Sequence, residues 1–222
     1  MASQPDQGTQ TNYTYWTAPS GPPSINDDVQ ARESADHCLP HLLQLLDQHD
    51  GFLVACYSNH PLVQLLSSHT QKPVVGIFQS SVTTTLQLLS PSQSFGIVST
   101  GKIWEELLGN AVYEFLGLPE TARSRVHFAG VETTGLNATD LHDAPTALVR
   151  RRLDEATVRL LNRDINDIRV ICLGCAGMAG MDEIVRKACI QTLGLEQGTK
   201  VKIVDGVKAG VGVLQSLVRG RF

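Results

Sequence analysis

Two segments, one in each half of the chain, constrain what it can fold into. The first is DGFLVACYSNHPLVQLL, from Asp50 to Leu66, and the second is DIRVICLGCAGMAGMDEIV, from Asp167 to Val185. In each, a continuous apolar run reaches a cysteine, small or polar residues follow, and a helical pattern begins. An apolar run without alternation fits a strand covered on both faces. The cysteines, Cys56 and Cys175, lie 175 − 56 = 119 residues apart in a chain of 222, about half its length. The units that follow also match loosely, KPVVGIFQSSVTTTLQLL against VKIVDGVKAGVGVLQSL. The repeat predicts two similar βα halves that face each other, each presenting one cysteine to a shared cleft.

The rest of the pattern agrees with an α/β fold. Strands are expected at Tyr13–Ala18, Gly51–Cys56, Val74–Phe78, Phe95–Ser99, Val126–Val131, up to Cys175, and Val201–Val204. Between them lie helical stretches: one capped by Asn26 and interrupted at Pro40, a second piece over Leu42–Leu46, and one starting near Asn59 and Pro61. Further helices are expected as a Ser/Thr-capped stretch to Leu89, from Lys102 to Leu116, from Pro145 to Arg163, up to Leu193, and at the C-terminus. Glu132 to Ala144 reads as a long loop. Strands alternating with helices imply parallel sheets with helices on their faces. Ligands of such sheets bind beyond the carboxyl ends of the strands. The division expected is a disordered tail over residues 1–12, a first α/β half over 13–94 and a second over 95–222.

The two halves do not count alike. The second has four strands, near Phe95, Val126, Ile168 and Val201, with its cysteine on the third. The first has three, near Tyr13, Phe52 and Val74, with its cysteine on the second. If the halves are repeats, one strand–helix unit ahead of Tyr13 is lacking.

Composition narrows the class. A chain of this length buries roughly 70% of its unfolded surface and needs no disulfide or metal staple. With 42% hydrophobic and 18% charged residues, it is a globular chain and not a disordered one. The net charge of −4 and the absence of a Lys/Arg block argue against a nucleic-acid groove. No apolar run approaches the ~20 residues of a membrane helix, and the polar first twelve residues lack the apolar core of a signal peptide. Five cysteines, an odd number, point to free thiols in a reducing, cytoplasmic setting. The seven histidines show no metal-ligand spacing. There is no G-x-S-x-G elbow, P-loop or dinucleotide fingerprint, so neither a metal nor a cofactor is expected.

The cysteines differ in promise. One at a strand end before a helix N-terminus sits where thiolate and bound anions are favoured. A cysteine in an apolar strand can equally be a small buried hydrophobe, but two at matching points of a repeat favour chemistry. Cys172 lies inside its strand and points away from Cys175, and Cys38 and Cys189 fall on helices; all three read as core. His60 either assists Cys56 or starts a helix. The glycines of LGCAGMAG are expected to serve a tight turn and close backbone approach to a small ligand.

CYSNHPLV around Cys56, STGKIWE from Ser99, GVETTGL from Gly130, LGCAGM around Cys175, KIVDGVKAGV from Lys202 and TAPSGPPSIND from Thr17 together resemble the aspartate/glutamate/hydantoin racemase superfamily. The match is nearest to its hydantoin and allantoin racemase branch, including fungal members, and runs from Tyr13 to Phe222. The resemblance implies a pseudo-two-fold α/β fold, an active-site cleft between the halves and cofactor-independent 1,1-proton transfer. Cys56 and Cys175 would be its acid and base. Backbone amides near Tyr57, Ser58, Ala176 and Gly177 would stabilise an enolate oxygen. Ser58, Asn59, Thr100, Thr133 and Thr134 are candidate substrate contacts, although each also suits a cap or turn. Members of the family open with a strand ending in Asn-Pro-Asn and a helix. No such segment stands here, and it is the unit that the repeat count found lacking.

The implied activity is racemisation or epimerisation of a hydantoin- or allantoin-like ring, with a small molecule as the partner and a homo-oligomer as a possible assembly. The rivals are another reaction of the superfamily, decarboxylation or cis–trans isomerisation, or a truncated paralogue acting as a binding protein.

Overall fold

The computed structural model describes residues 11–125, 127–163 and 167–220. The first ten residues of the expected tail and the expected strand start at Val126 lie outside them. The elements are α1 (Asp28–Leu43), β1 (Phe52–Val54), α2 (Pro61–Ser67), β2 (Val74–Gly76) and α3 (Ile77–Leu88). They continue with β3 (Gln93–Ser99), α4 (Trp104–Phe115), β4 (Phe128–Thr133), α5 (Asp140–Asp143) and α6 (Thr146–Leu161). The last are β5 (Asp167–Leu173), α7 (Asp182–Leu193), α8 (Leu195–Lys200), β6 (Lys202–Asp205) and α9 (Gly206–Gly220). All strand pairs are parallel: one sheet is β1–β2, the other runs β4-β3-β5-β6. The α/β class with parallel sheets is thus as the alternating pattern predicts.

The second sheet has the four strands expected of it. From Val170 to Leu173, β5 is fully buried between β3 and β6, which explains its unbroken apolar run. A bulge separates the pairs Phe95↔Phe128 and Ile97↔Val131, where β4 carries one extra residue. Gly130 there has φ +97°, a conformation that side chains rarely adopt. Arg163 covers the bulge, donating to the carbonyls of Ala129 and Val131 at 2.8 Å each.

The first half departs from expectation. Tyr13–Ala18 is not a strand but irregular chain, and Tyr15 is 93% exposed. A strand needs a neighbour, and among the described residues β1 pairs with β2 alone. Side chains hold the segment instead: Trp16 packs tilted on His41, and the Tyr13 hydroxyl accepts from Gln215. The first helix is capped by Asp27, not Asn26; the Asp27 carboxylate accepts from Gln30 N at 2.8 Å. That helix also runs through Pro40 to Leu43, giving up the one intrahelical hydrogen bond that a proline nitrogen cannot donate. The second helical piece shrinks to a 3₁₀ turn, Leu46–Gln48.

Two further boundaries move. Ile77 and Phe78 begin α3 instead of ending β2, and Gly76 caps that helix with no side-chain bond. Both residues are completely buried on a helix whose inner face packs against α9, β5 and β6. The first half therefore reaches across onto the second sheet. The expected loop after Val131 instead finishes β4 at Thr133 and contains α5.

Candidate active site

The repeat is visible in where the two cysteines sit. Cys56 comes two residues after Val54, the last of β1 (56 − 54 = 2), and Cys175 two residues after Leu173, the last of β5 (175 − 173 = 2). Both are free and half-buried. Each occupies the carboxyl end of a parallel strand, where open α/β sheets bind ligands. The charge of a Cys175 thiolate is felt at Cys56.

Their surroundings differ. Burial pushes the Cys56 thiol up to about 11, against which the Ser58 hydroxyl, 3.5 Å away, lowers it and the Cys175 charge adds to the rise. Burial also raises Cys175, opposed by the backbone N–H groups of Gly177 and Met178. These amides belong to a 3₁₀ turn, Ala176–Met178, and α7 does not begin until Asp182. Local N–H groups, not the N-terminus of a long helix directly after the cysteine, favour the Cys175 thiolate. Likewise α2 starts only at Pro61, five positions beyond Cys56 (61 − 56 = 5).

Gly174 fixes this turn. A Cβ there would lie 2.7 Å from Ile97 Cγ2 and 2.8 Å from the Val98 carbonyl oxygen. Its N–H donates to that carbonyl at 2.7 Å, and Ser99 Oγ donates to the Gly174 carbonyl at 2.7 Å. The close approach expected of the LGCAGMAG glycines is therefore, at this position, to the end of β3 and not to a ligand.

The remaining predicted residues are placed as follows. Tyr57 and Ser58 are buried beside Cys56, and Ala176 and Gly177 form the turn after Cys175. The Gly177 N–H is directed at the Cys175 sulfur. Asn59 is exposed and bridges two helices, accepting from Gln79 at 3.1 Å and donating to Glu114 at 3.3 Å. Thr133 donates to Glu105 at 2.7 Å. Thr134 bonds the Thr100 carbonyl at 3.4 Å, which also accepts from Gly135 N at 2.9 Å. The side chains of Asn59, Thr133 and Thr134 thus already serve internal bonds. Sequence reading missed Glu105, Ser81 and Thr85; the last two are polar at i, i+4 on the buried face of α3, and that spacing was the available signal.

His60 resolves in favour of the helix start. It is the N-cap of α2, its Nδ1 accepting from Leu62 N at 3.2 Å, and it is 3% exposed. Burial lowers its pKa to about 4, below the unfolded value of about 6.5. A buried base with a lowered pKa favours the unfolded chain when protonated. Stability is therefore full above the unfolded value and falls as pH drops from 6.5 towards 4. Roughly 3 kcal/mol is expected to be lost over that window. In His60→Asn, whose amide oxygen preserves the cap, urea midpoints at pH 7 and pH 4.5 should differ by much less than in the parent chain.

Among the described residues no group of three or more His, Cys, Asp or Glu is placed to hold a metal, and no helix is long and apolar enough to cross a membrane. Parallel sheets that each carry a free cysteine beyond a strand end define an α/β protein with a thiol at matching points of its two halves. Comparison with known proteins gives the family. The profile described as Asp/Glu/Hydantoin racemase matches residues 1–214, and the chain belongs to that family.

Uncharacterized protein C1F7.10 of Schizosaccharomyces pombe is 37% identical over 201 residues, covering 90% of this chain and 76% of the relative. Protein DCG1 of Saccharomyces cerevisiae is 25% identical over 219 residues, covering 93% and 83%. Among solved structures, allantoin racemase from Klebsiella pneumoniae superposes with a TM-score of 0.73 at 24% identity, covering 92% of this chain and 74% of that one. Glutamate racemase isoform RacE1 from Bacillus anthracis gives 0.60 at 18% identity, covering 85% and 66%. These superpositions establish the racemase fold.

Proposed function

We propose that this chain is a cofactor-independent racemase or epimerase. Cys56 and Cys175 exchange a proton at a carbon next to a carbonyl, on a hydantoin- or allantoin-like ring. The observation that carries the reading is the matched placement of one free thiol two residues past β1 and one two residues past β5, in a member of a racemase family. Racemisation without a cofactor needs a base on one side of a planar carbanion and an acid on the other. A thiolate and a thiol can trade these roles between the two directions.

Burial holds both sulfurs in the thiol form, so the first proton leaves from the one with better anion stabilisation. That is Cys175, with two backbone donors against the single hydroxyl at Cys56. With Cys175 as thiolate and Cys56 as thiol, one enantiomer loses its proton to Cys175 and the carbanion is reprotonated by Cys56. The reverse turnover starts from the opposite protonation state. The amides of Tyr57, Ser58 and Ala176 are the donors available for the enolate oxygen. The ring preference follows the allantoin racemase likeness and the sequence motifs.

The deciding experiment is α-carbon exchange in heavy water with a panel of hydantoins and allantoin, followed by NMR and polarimetry together. Exchange with loss of optical rotation is expected. Exchange without racemisation would favour single-face protonation, as in a decarboxylase. No exchange with any member of the panel would leave a cis–trans isomerase, whose thiolate adds to a double bond, or a binding protein in its place.

A further inference from the structure

A polar knot lies buried between the first half and the second sheet. Ser81 Oγ donates to the Tyr57 hydroxyl at 2.7 Å, and Thr85 Oγ1 lies 3.1 Å from the Cys172 sulfur. Both bonds are made from α3, by residues one helical turn apart. Ser81, Thr85 and Cys172 are fully buried, and Tyr57 is 4% exposed. The members come from three elements: the loop after β1, α3, and β5. Tyr57 adjoins Cys56, and Cys172 stands three residues before Cys175 (175 − 172 = 3).

The Tyr57 ring is held as well as its hydroxyl. It meets Phe78 edge-on, with centroids 5.7 Å apart, and a Cβ on Gly206 would come within 3.0 Å of its Cδ2. It is therefore wedged between α3 and the start of α9. A phenylalanine would fill the same slot, and Ser81 would keep the Phe78 carbonyl, 3.0 Å away, as a partner. Little stability is gained by the phenol oxygen, since a buried hydroxyl exchanges bonds with water for bonds within the protein. What it adds is direction: the loop that carries Cys56 and the strand that leads to Cys175 are each bonded to the same helix, one turn apart.

We infer that Tyr57 and Cys172 are positioning residues: their hydrogen bonds to Ser81 and Thr85, one turn apart on α3, set the spacing of the Cys56 and Cys175 thiols across the junction of the two halves. The inference rests on reading those thiols as the acid–base pair. Two-base transfer needs both sulfurs in register with one carbon. Exchange on a single face needs only one of them. Loss of either bond should therefore separate the two.

Tyr57→Phe is expected to lower the racemisation kcat by roughly 30-fold, with KM within about twofold and single-face exchange within about threefold, as for a misplacement of ~1 Å. Cys172→Ser, which keeps a polar partner, should behave like the parent; Cys172→Val should behave like Tyr57→Phe. Melting temperatures should separate these variants little. A second readout does not use activity: bis-methanethiosulfonate cross-linkers of graded length, with the Cys56–Cys175 product identified by mass spectrometry. The parent should bridge at one preferred span, and Tyr57→Phe and Cys172→Val should lose that preference.

An unchanged ratio of racemisation to exchange, together with the parental span preference, would overturn the inference. If the parent neither exchanges nor racemises any substrate, the racemase reading fails by itself. The span preference alone then decides for or against positioning.

Discussion

Cys56→Ser and Cys175→Ser should each abolish racemisation, with a loss of roughly 10³-fold or more, in keeping with the size of general acid–base effects. A serine hydroxyl is too weak an acid or base near neutral pH to replace a thiol. Folding should change little, because both positions are half-buried and lie beyond the strand ends, outside the hydrophobic clusters' fully buried members. Each enantiomer presents its proton to a different sulfur, so each variant should retain exchange without inversion for one enantiomer only. The parent's rate should rise with pH above neutrality, since burial raises both thiols and more thiolate forms as pH climbs towards their values. Cys38→Ala and Cys189→Ala, in the core, should leave the kinetic constants within a few-fold whatever they do to stability. Full racemisation of both enantiomers by Cys56→Ser would end the two-base assignment.

The second large effect concerns the first sheet. Amides of β1 and β2 should exchange with solvent several orders of magnitude faster than those of β3 and β5, by native-state hydrogen exchange. The reason is geometric. β5 is held by β3 on one side and β6 on the other, whereas β1 has β2 on one side and no strand on the other among the described residues. Phe52, Leu53 and Val54 are only half-buried, so less apolar burial opposes local opening. Equal protection of β1 and β5 would show that the open edge of β1 does not govern the opening of the first sheet.

Much of the second half was legible from sequence. Its four strands, the placement of Cys175 and the burial of Cys172 follow from apolar runs long enough to show period and from turns rich in glycine. The first half was harder. Tyr13–Ala18 has the aromatic and Thr content of a strand, and propensity alone predicts one. Strand formation, however, depends on a partner's hydrogen bonds, which no local pattern reports. Ile77 and Phe78 read as strand for a similar reason, since a short apolar run buried on a helix face looks the same as one buried in a sheet.

What the sequence determined by itself is the chemistry on offer: an α/β repeat with one thiol after each matching strand, and family motifs around both. Those features are local, and composition and spacing record them directly. What only the tertiary structure decided is how the thiols are held. The close approach of Gly174 to β3, the bond of Ser81 to Tyr57 and that of Thr85 to Cys172 join residues far apart in the chain. Each depends on packing between separate elements, where distance and direction set the energy of a hydrogen bond, and neither is written in the order of residues.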